Sequence, residues 1–140
     1  MLHLDTSLVV AALTNETETA RMQSWLGRQR VDELTISDWV VTEFSCALSI
    51  KLRSGKIEAA HRAAALAAIT RLAAESFTVV PVSRLQFRMA ARFVEQYMLG
   101  LCAGDALHLA VCAEHGDTLC TLDRRLSDAG SALGLEALLL

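Results

Sequence analysis

Four acidic side chains in this sequence lie where an apolar run meets a turn or a helix. They are Asp5, Glu43, Asp105 and Asp123. Two of them close short strand-like runs, because Asp5 follows Leu2–Leu4 and Asp123 follows Leu119–Leu122. In a parallel sheet the carboxyl ends of the strands line one crevice, so acids far apart in sequence can meet there. The pattern predicts a carboxylate cluster that binds metal.

Charge repulsion is the physical reason for expecting a cation in such a cluster. Two like charges about 4 Å apart repel by roughly 4 kcal/mol at an effective dielectric constant near 20. A divalent ion removes this conflict, and oxygen ligands favour Mg²⁺ or Mn²⁺. The sequence has no cysteine and histidine constellation of the kind that binds zinc. Such an ion can polarise a phosphodiester and activate a water molecule for attack.

Within this hypothesis, Asp5 and Asp105 are direct ligands, whereas Glu43 and Asp123 bind a second ion or orient the water. A structural alternative exists for three of the acids. Asp5, Asp105 and Asp123 can each precede a helix and cap its free amides, and for each taken alone capping is the simpler interpretation. Glu43 differs because it falls within an apolar helical stripe that includes Val40 and Phe44.

The elements that must position these residues alternate along the chain. Apolar runs predict strands at Leu2–Leu4, Leu34–Ile36, Phe77–Val82, Leu119–Leu122 and Leu135–Leu140. Helical spacing predicts helices at Thr17–Gln29, Asp38–Leu52, Ile57–Ala74, Arg84–Met98 and Asp105–His115. This alternation predicts a three-layer α/β fold with a mainly parallel sheet, and Pro81 favours an edge or terminal position for its strand.

Length and composition restrict the class of protein. The chain has 140 residues and is 53% hydrophobic, which fits one domain spanning 1–140. We expect no signal peptide and no transmembrane segment, because no apolar run reaches spanning length. The four cysteines include no Cys-x-x-Cys pair and lie in apolar surroundings. We therefore expect reduced core thiols and a cytoplasmic protein.

Four segments taken together resemble the PIN-domain family, and specifically the VapC-type toxins of bacterial toxin–antitoxin pairs. The segments are Leu4–Ser7, Val41–Phe44, Ala103–Ala110 and Thr121–Leu126. The resemblance covers nearly the whole chain and implies a PIN-like α/β/α domain. It also implies a Mg²⁺- or Mn²⁺-dependent ribonuclease that uses the four acids, with Thr6 and Thr121 supporting the carboxylates or bound water. Cys102 stands where similar sequences often carry an arginine.

The same resemblance predicts the partners of the protein. It implies an RNA substrate, a small antitoxin and a homodimer. Arg124 and Arg125 adjoin Asp123, which favours contact with RNA phosphates over a merely solvated face. For Arg84, Arg88 and Arg92, a solvated helix face is the simpler interpretation. His108 lies three residues after Asp105 and could reach its carboxylate, and we predict a core or supporting role for it rather than a general base.

Two other functions stay open at this point. A haloacid-dehalogenase-like phosphohydrolase also begins with an aspartate at a strand end, but it needs a second aspartate where this chain has Ser7. A non-catalytic PIN-like module would keep the fold for partner binding alone. The presence of all four acids disfavours that alternative.

Overall fold

A parallel sheet of five short strands organises the chain. The strands are β1 (Leu2–Leu4), β2 (Leu34–Ser37), β3 (Thr78–Val80), β4 (Thr118–Thr121) and β5 (Ala137–Leu139). In the computed structural model, which describes residues 1–140, they lie in the order β3-β2-β1-β4-β5. Every neighbouring pair is parallel. The chain order therefore reverses on either side of the central β1, which is where α/β sheets open a crevice at the strand ends.

Seven α-helices connect the strands. They are α1 (Thr6–Leu13), α2 (Thr19–Leu26), α3 (Asp38–Arg53), α4 (Ala59–Glu75), α5 (Arg84–Glu95), α6 (Ala103–His115) and α7 (Arg124–Ala132). Residues of α1 to α4 form the larger apolar core on one face of the sheet. Two smaller clusters involve α5, α6 and α7. This arrangement confirms the predicted three-layer α/β fold.

The sequence prediction omitted the two helices that begin directly after acids, α1 and α7. Residues 8–12 of α1 are all buried, so its sequence lacks the polar face that reveals a helix by periodicity. Helix α7 is short, and it contains Gly130, a poor helix former. Both begin at an aspartate cap, Asp5 and Asp123, which supplies a local start signal.

Several predicted boundaries were wrong in detail. Helix α6 begins at Ala103, two residues before the predicted start, so Cys102 is its N-cap and Asp105 lies in the first turn. Helix α5 ends at Glu95, and a 3-10 turn follows at Tyr97–Leu99. The left-handed conformation of Gly100, with φ of 62°, closes that turn.

The remaining expectations had mixed outcomes. Strand β3 is shorter than predicted, but its predicted edge position is confirmed. The prediction of four core thiols was wrong, because Cys46 on α3 and Cys102 at the N-cap of α6 are exposed, and only Cys112 and Cys120 are buried. The longest helix has 17 residues, and none combines the length and apolar character needed to cross a bilayer.

Candidate metal centre

Asp5 leaves the end of β1 and enters the crevice. Its backbone N–H donates to the carbonyl of Cys120 at 2.9 Å, which ties it to β4. Asp5 as a whole is only 5% exposed. The Oδ2 atom accepts hydrogen bonds from Ser7 Oγ at 2.6 Å and Thr121 Oγ1 at 2.8 Å. Because Oδ2 accepts both of these bonds, the second oxygen, Oδ1, faces the centre of the site.

Thr121 and Ser7 link this carboxylate to the next strand end. The Thr121 hydroxyl also accepts a hydrogen bond from the N–H of Asp123 at 2.9 Å. The Ser7 hydroxyl accepts one from the N–H of Leu122 at 3.1 Å. The turn after β4 and the start of α1 are therefore joined through two side-chain hydroxyls and the Asp5 carboxylate.

Glu43 enters the site from α3. Its Oε2 atom accepts hydrogen bonds from Thr6 Oγ1 at 2.6 Å and from His108 Nε2 at 2.7 Å. Its Oε1 atom accepts no hydrogen bond of ordinary geometry, although the indole of Trp39 lies nearby. Glu43 and Asp5 thus each keep one oxygen that is free of a hydroxyl donor.

His108 lies between these two carboxylates. It is 1% exposed, and its Nε2 atom lies 2.7 Å from Glu43 Oε2 and 3.3 Å from Asp5 Oδ1. The ligand atoms of the three residues all lie within 4.8 Å of one another. The expectation that His108 would reach Asp105 was wrong, because the carboxylates it contacts are those of Glu43 and Asp5. Its contacts depend on how α6 packs against α1 and α3, which helical spacing along α6 does not reveal.

The charges in this group stabilise one another. Burial lowers the pKa of His108, but its hydrogen bond to Glu43 and the charges of Asp5, Glu43 and Asp105 outweigh burial and raise the pKa above its ordinary value. For Glu43 burial acts in the opposite direction and raises the pKa. The interactions with His108, Thr6 and Trp39 outweigh it and bring the pKa of Glu43 below its ordinary value. The structure therefore favours an imidazolium paired with carboxylates, which offsets their repulsion internally.

Asp105 and Asp123 lie outside this compact group. Asp105 is half-buried in the first turn of α6, and its charge contributes to the raised pKa of His108. Burial and a hydrogen bond with Asp105 raise the pKa of the neighbouring Cys102 thiol. Because Cys102 is the N-cap of α6 and Asp105 is its third residue, the capping alternative for Asp105 was wrong.

Asp123 does cap a helix, as its structural interpretation predicted. Its Oδ1 atom accepts hydrogen bonds from the N–H groups of Arg125 at 2.8 Å and Leu126 at 3.3 Å. Its Oδ2 atom lies 4.0 Å from Arg125 Nη2. Asp5 also caps, through a longer contact of 3.4 Å with the N–H of Ser7. Capping uses one oxygen of each carboxylate, and the other oxygen makes no capping bond.

Sequence reasoning missed two contributors to this site. Ser7 was considered only as a departure from another family, yet its hydroxyl makes the shortest contact to Asp5. Trp39 was assigned to the core or an interface, but it lies one helical turn before Glu43 and contributes to its lowered pKa. A hydroxyl two residues after a strand-end acid, and an aromatic residue at i−4 from Glu43, were the available signals.

The donor atoms suit a hard divalent cation. Asp5 Oδ1 and Glu43 Oε1 are carboxylate oxygens without a hydroxyl donor, and they belong to one group of closely spaced ligand residues. Such oxygens are preferred by Mg²⁺ and Mn²⁺. His108 adds an imidazole that the sequence argument against zinc did not include.

Comparison with known proteins assigns the family. The PIN domain model matches residues 2–131, so the chain belongs to the PIN domain family. VapC20 of Mycobacterium tuberculosis, a Sarcin-Ricin loop cleaving toxin, superposes with a TM-score of 0.76 at 18% identity, covering 93% of this chain and 95% of that one. A search of curated proteins found no significant match.

Two further solved structures share the fold. FitAcB from Neisseria gonorrhoeae has a TM-score of 0.71 at 17% identity and covers 98% of this chain and 96% of its own. VapBC2 from Rickettsia felis, bound to a DNA fragment from their promoter, has a TM-score of 0.68 at 14% identity, with 100% and 99% covered. At these identities the likeness establishes a common architecture.

Proposed function

We propose that this protein is a metal-dependent endoribonuclease and the toxin of a type II toxin–antitoxin pair. The observation that carries the proposal is the pairing of Asp5, at the end of β1, with Glu43 of α3 across His108 of α6 in a PIN domain. VapC20, which has the same fold, is a Sarcin-Ricin loop cleaving toxin, and this supports RNA as the substrate class. We expect the protein to act in the cytoplasm, where such RNA is found.

In this proposal Asp5 and Glu43 hold the cation, with Asp105 and Asp123 completing its surroundings. A bound Mg²⁺ or Mn²⁺ would polarise the scissile phosphodiester and activate the attacking water. The chain's own contribution is orientation. Ser7 and Thr121 fix Asp5 through Oδ2, and Thr6 with His108 fixes Glu43 through Oε2, so that the remaining oxygens are presented without rotation.

His108 acts as an internal counter-charge. Its Nε2 atom contacts both Glu43 and Asp5, and the protonated form, which the raised pKa of His108 favours, would offset the like charges of the two carboxylates. It has no acceptor at Nδ1 and is fully enclosed. We therefore propose that it orients Glu43 and does not contact the RNA.

Cleavage of structured RNA by the purified protein, freed from any partner, tests this function. We expect cleavage with Mg²⁺ or Mn²⁺, little with Zn²⁺, and none in EDTA. Asp105→Asn should abolish cleavage, yet it should melt no lower than the parent in EDTA because one like charge is removed. Asp128→Asn, an identical change on the exposed face of α7, is the matched control and should cleave normally.

Either of two results would reject the proposal. Full cleavage in EDTA would exclude the metal mechanism, and full cleavage by Asp105→Asn would exclude this set of acids. Absence of cleavage under every condition, with specific binding of a protein partner, would favour the non-catalytic module instead.

We also propose an antitoxin partner and a surface for it. A cleft of about 650 Å³ lies between α1, α2 and α4, away from the acidic group. On its α4 side the lining includes the small residues Ala64, Ala65 and Ala68, which allow close approach of another backbone. VapBC2 and the toxin–antitoxin complex from Klebsiella pneumoniae share this fold, which supports a protein partner of that kind.

A further inference from the structure

Gly104 is the second residue of α6 and the only glycine in that helix. Its backbone does not have the positive φ that usually requires glycine. Glycine inside a helix is less favourable than alanine by about 0.5–1 kcal/mol. Backbone conformation therefore gives no reason for this residue, and another cause must be found in its surroundings.

The space beside Gly104 is filled by Glu43. A Cβ atom at position 104 would lie 2.5 Å from Glu43 Oε1 and 3.6 Å from Glu43 Cδ. It would also lie 3.5 Å from Trp39 Nε1. The first distance is far below van der Waals contact, so even an alanine at this position would require the carboxylate to move.

Glu43 is not free to make that move. Its other oxygen is held by short hydrogen bonds from two different helices, at 2.6 Å from Thr6 on α1 and 2.7 Å from His108 on α6. Any shift of the carboxylate away from the added Cβ would therefore change the lengths of both bonds. A flexible surface glutamate would yield at little cost, whereas this one is fixed on the side opposite the clash.

We propose that Gly104 is a positioning residue. Because it has no side chain, the Glu43 carboxylate can lie directly against α6. The close approach places Oε1 against the first turn of α6, the turn that also carries Asp105. The placement of Glu43 stands on these distances alone. Its consequence for metal binding and cleavage rests on the proposed function.

The test introduces Gly104→Ala into two backgrounds, of which the first is the parent sequence. In the metal-free protein in EDTA, ¹H–¹⁵N NMR of the His108 ring reports the Nε2 proton that is hydrogen-bonded to Glu43. We expect Gly104→Ala to shift or abolish this resonance. The affinity of the Gly104→Ala variant for Mn²⁺, measured by calorimetry, should fall by about 10- to 100-fold, as when a group that orients a metal ligand is removed.

The second background is Glu43→Asp, whose carboxylate is one methylene shorter and withdraws from α6. There, adding Gly104→Ala should cause no further loss of Mn²⁺ affinity and no drop in melting temperature. Gly27→Ala is the matched control, because Gly27 ends α2 with helical φ and ψ and its added Cβ would meet only an ordinary contact at 3.4 Å. This control should leave the His108 resonance and Mn²⁺ affinity unchanged.

The outcomes are decisive in both directions. An unchanged His108 resonance and Mn²⁺ affinity in Gly104→Ala would overturn the inference, and so would equal losses in the two backgrounds. If Gly104→Ala fails to fold, recovery in the double variant would support it and failure of both would refute it. A shifted resonance in a protein that never cleaves RNA would preserve the positioning role and reject the proposed function.

Discussion

His3 lies in the central strand β1 with none of its surface exposed. Its Nδ1 atom is 3.2 Å from Thr35 Oγ1, and its Nε2 atom has no partner. Burial, together with the nearby charges of His108 and His115, lowers the pKa of His3 to about 3. The folded protein therefore holds His3 neutral near neutral pH, whereas the pKa of the nearby His108 is raised by its carboxylate neighbours.

The lowered pKa of His3 predicts that the fold loses stability in acid. Because the folded pKa of His3 lies below the unfolded value of 6.5, its contribution to stability is complete above pH 6.5 and declines as the pH falls toward 3. From this group alone, the free energy of unfolding should decrease by about 1.4 kcal/mol per pH unit. Urea unfolding of the parent and His3→Asn at several pH values between neutrality and mild acid measures it.

The variant should show a flatter pH dependence than the parent below pH 6.5, the ordinary pKa of histidine. His61→Asn, an identical change at an exposed position of α4, is the control and should keep the parental slope. Equal slopes in the parent and His3→Asn would contradict the prediction.

Helix α7 connects a site acid to a pair of exposed cations. Asp123 caps the helix, and Arg124 and Arg125 occupy its first two positions. The side chain of Arg125 is 83% exposed and only 4.0 Å from Asp123 at its closest. An exposed pair at this distance contributes little to stability, so its arginine is available for another charge partner.

The double change Arg124→Ala and Arg125→Ala tests whether that partner is RNA phosphate. We expect weaker RNA binding and a salt dependence whose log–log slope flattens by about 0.7 for each phosphate that is no longer neutralised. The cleavage position should not change, because phosphate contacts orient RNA without reading its bases. Titrations of labelled RNA at several salt concentrations measure the slope.

Helix α5 provides the matched control. Arg84→Ala with Arg88→Ala removes the same charge from an exposed face on another helix. We expect the parental salt slope in that variant. If both pairs flatten the slope equally, the effect is one of net charge, and the α7 pair has no special place in binding.

At the scale of the whole molecule, half of the ten exposed large apolar side chains lie on one helix and the turn that follows it. Large apolar side chains on α5 and the turn after it are exposed: Leu85, Phe87, Val94, Tyr97 and Met98. Phe87 and Val94 lie seven residues apart and so share one helical stripe. Exposed large apolar side chains grouped on one helical stripe are typical of a protein interface.

We predict that this surface joins two copies of the chain. Phe87→Glu should convert the dimer to a monomer, because a carboxylate would be buried without a partner. Light scattering coupled to size-exclusion chromatography measures the mass. Ile50→Glu is the control, since Ile50 is 51% exposed on α3 and Phe87 is 55% exposed on α5. A parent that is monomeric throughout would contradict the prediction.

The sequence by itself determined the architecture and the elements that carry the acids. Alternating apolar runs specified a parallel sheet, and the position of Asp5 and Asp123 within two residues of a strand end specified the end of the sheet where they lie. Glu43 was separable from a surface acid because it shares its helical face with the buried Val40 and Phe44. These features are local, since periodicity records which face of an element is buried.

Only the tertiary structure decided which atoms meet. Thr6 and His108 are 102 residues apart, and their common contact with Glu43 depends on the packing of α1, α3 and α6 across the sheet. The same packing gave Gly104 its close approach to Glu43, and it made α1 a buried helix with no polar face to reveal it. Sequence patterns encode burial, whereas partners across the core are fixed by strand order and by the distances between packed helices.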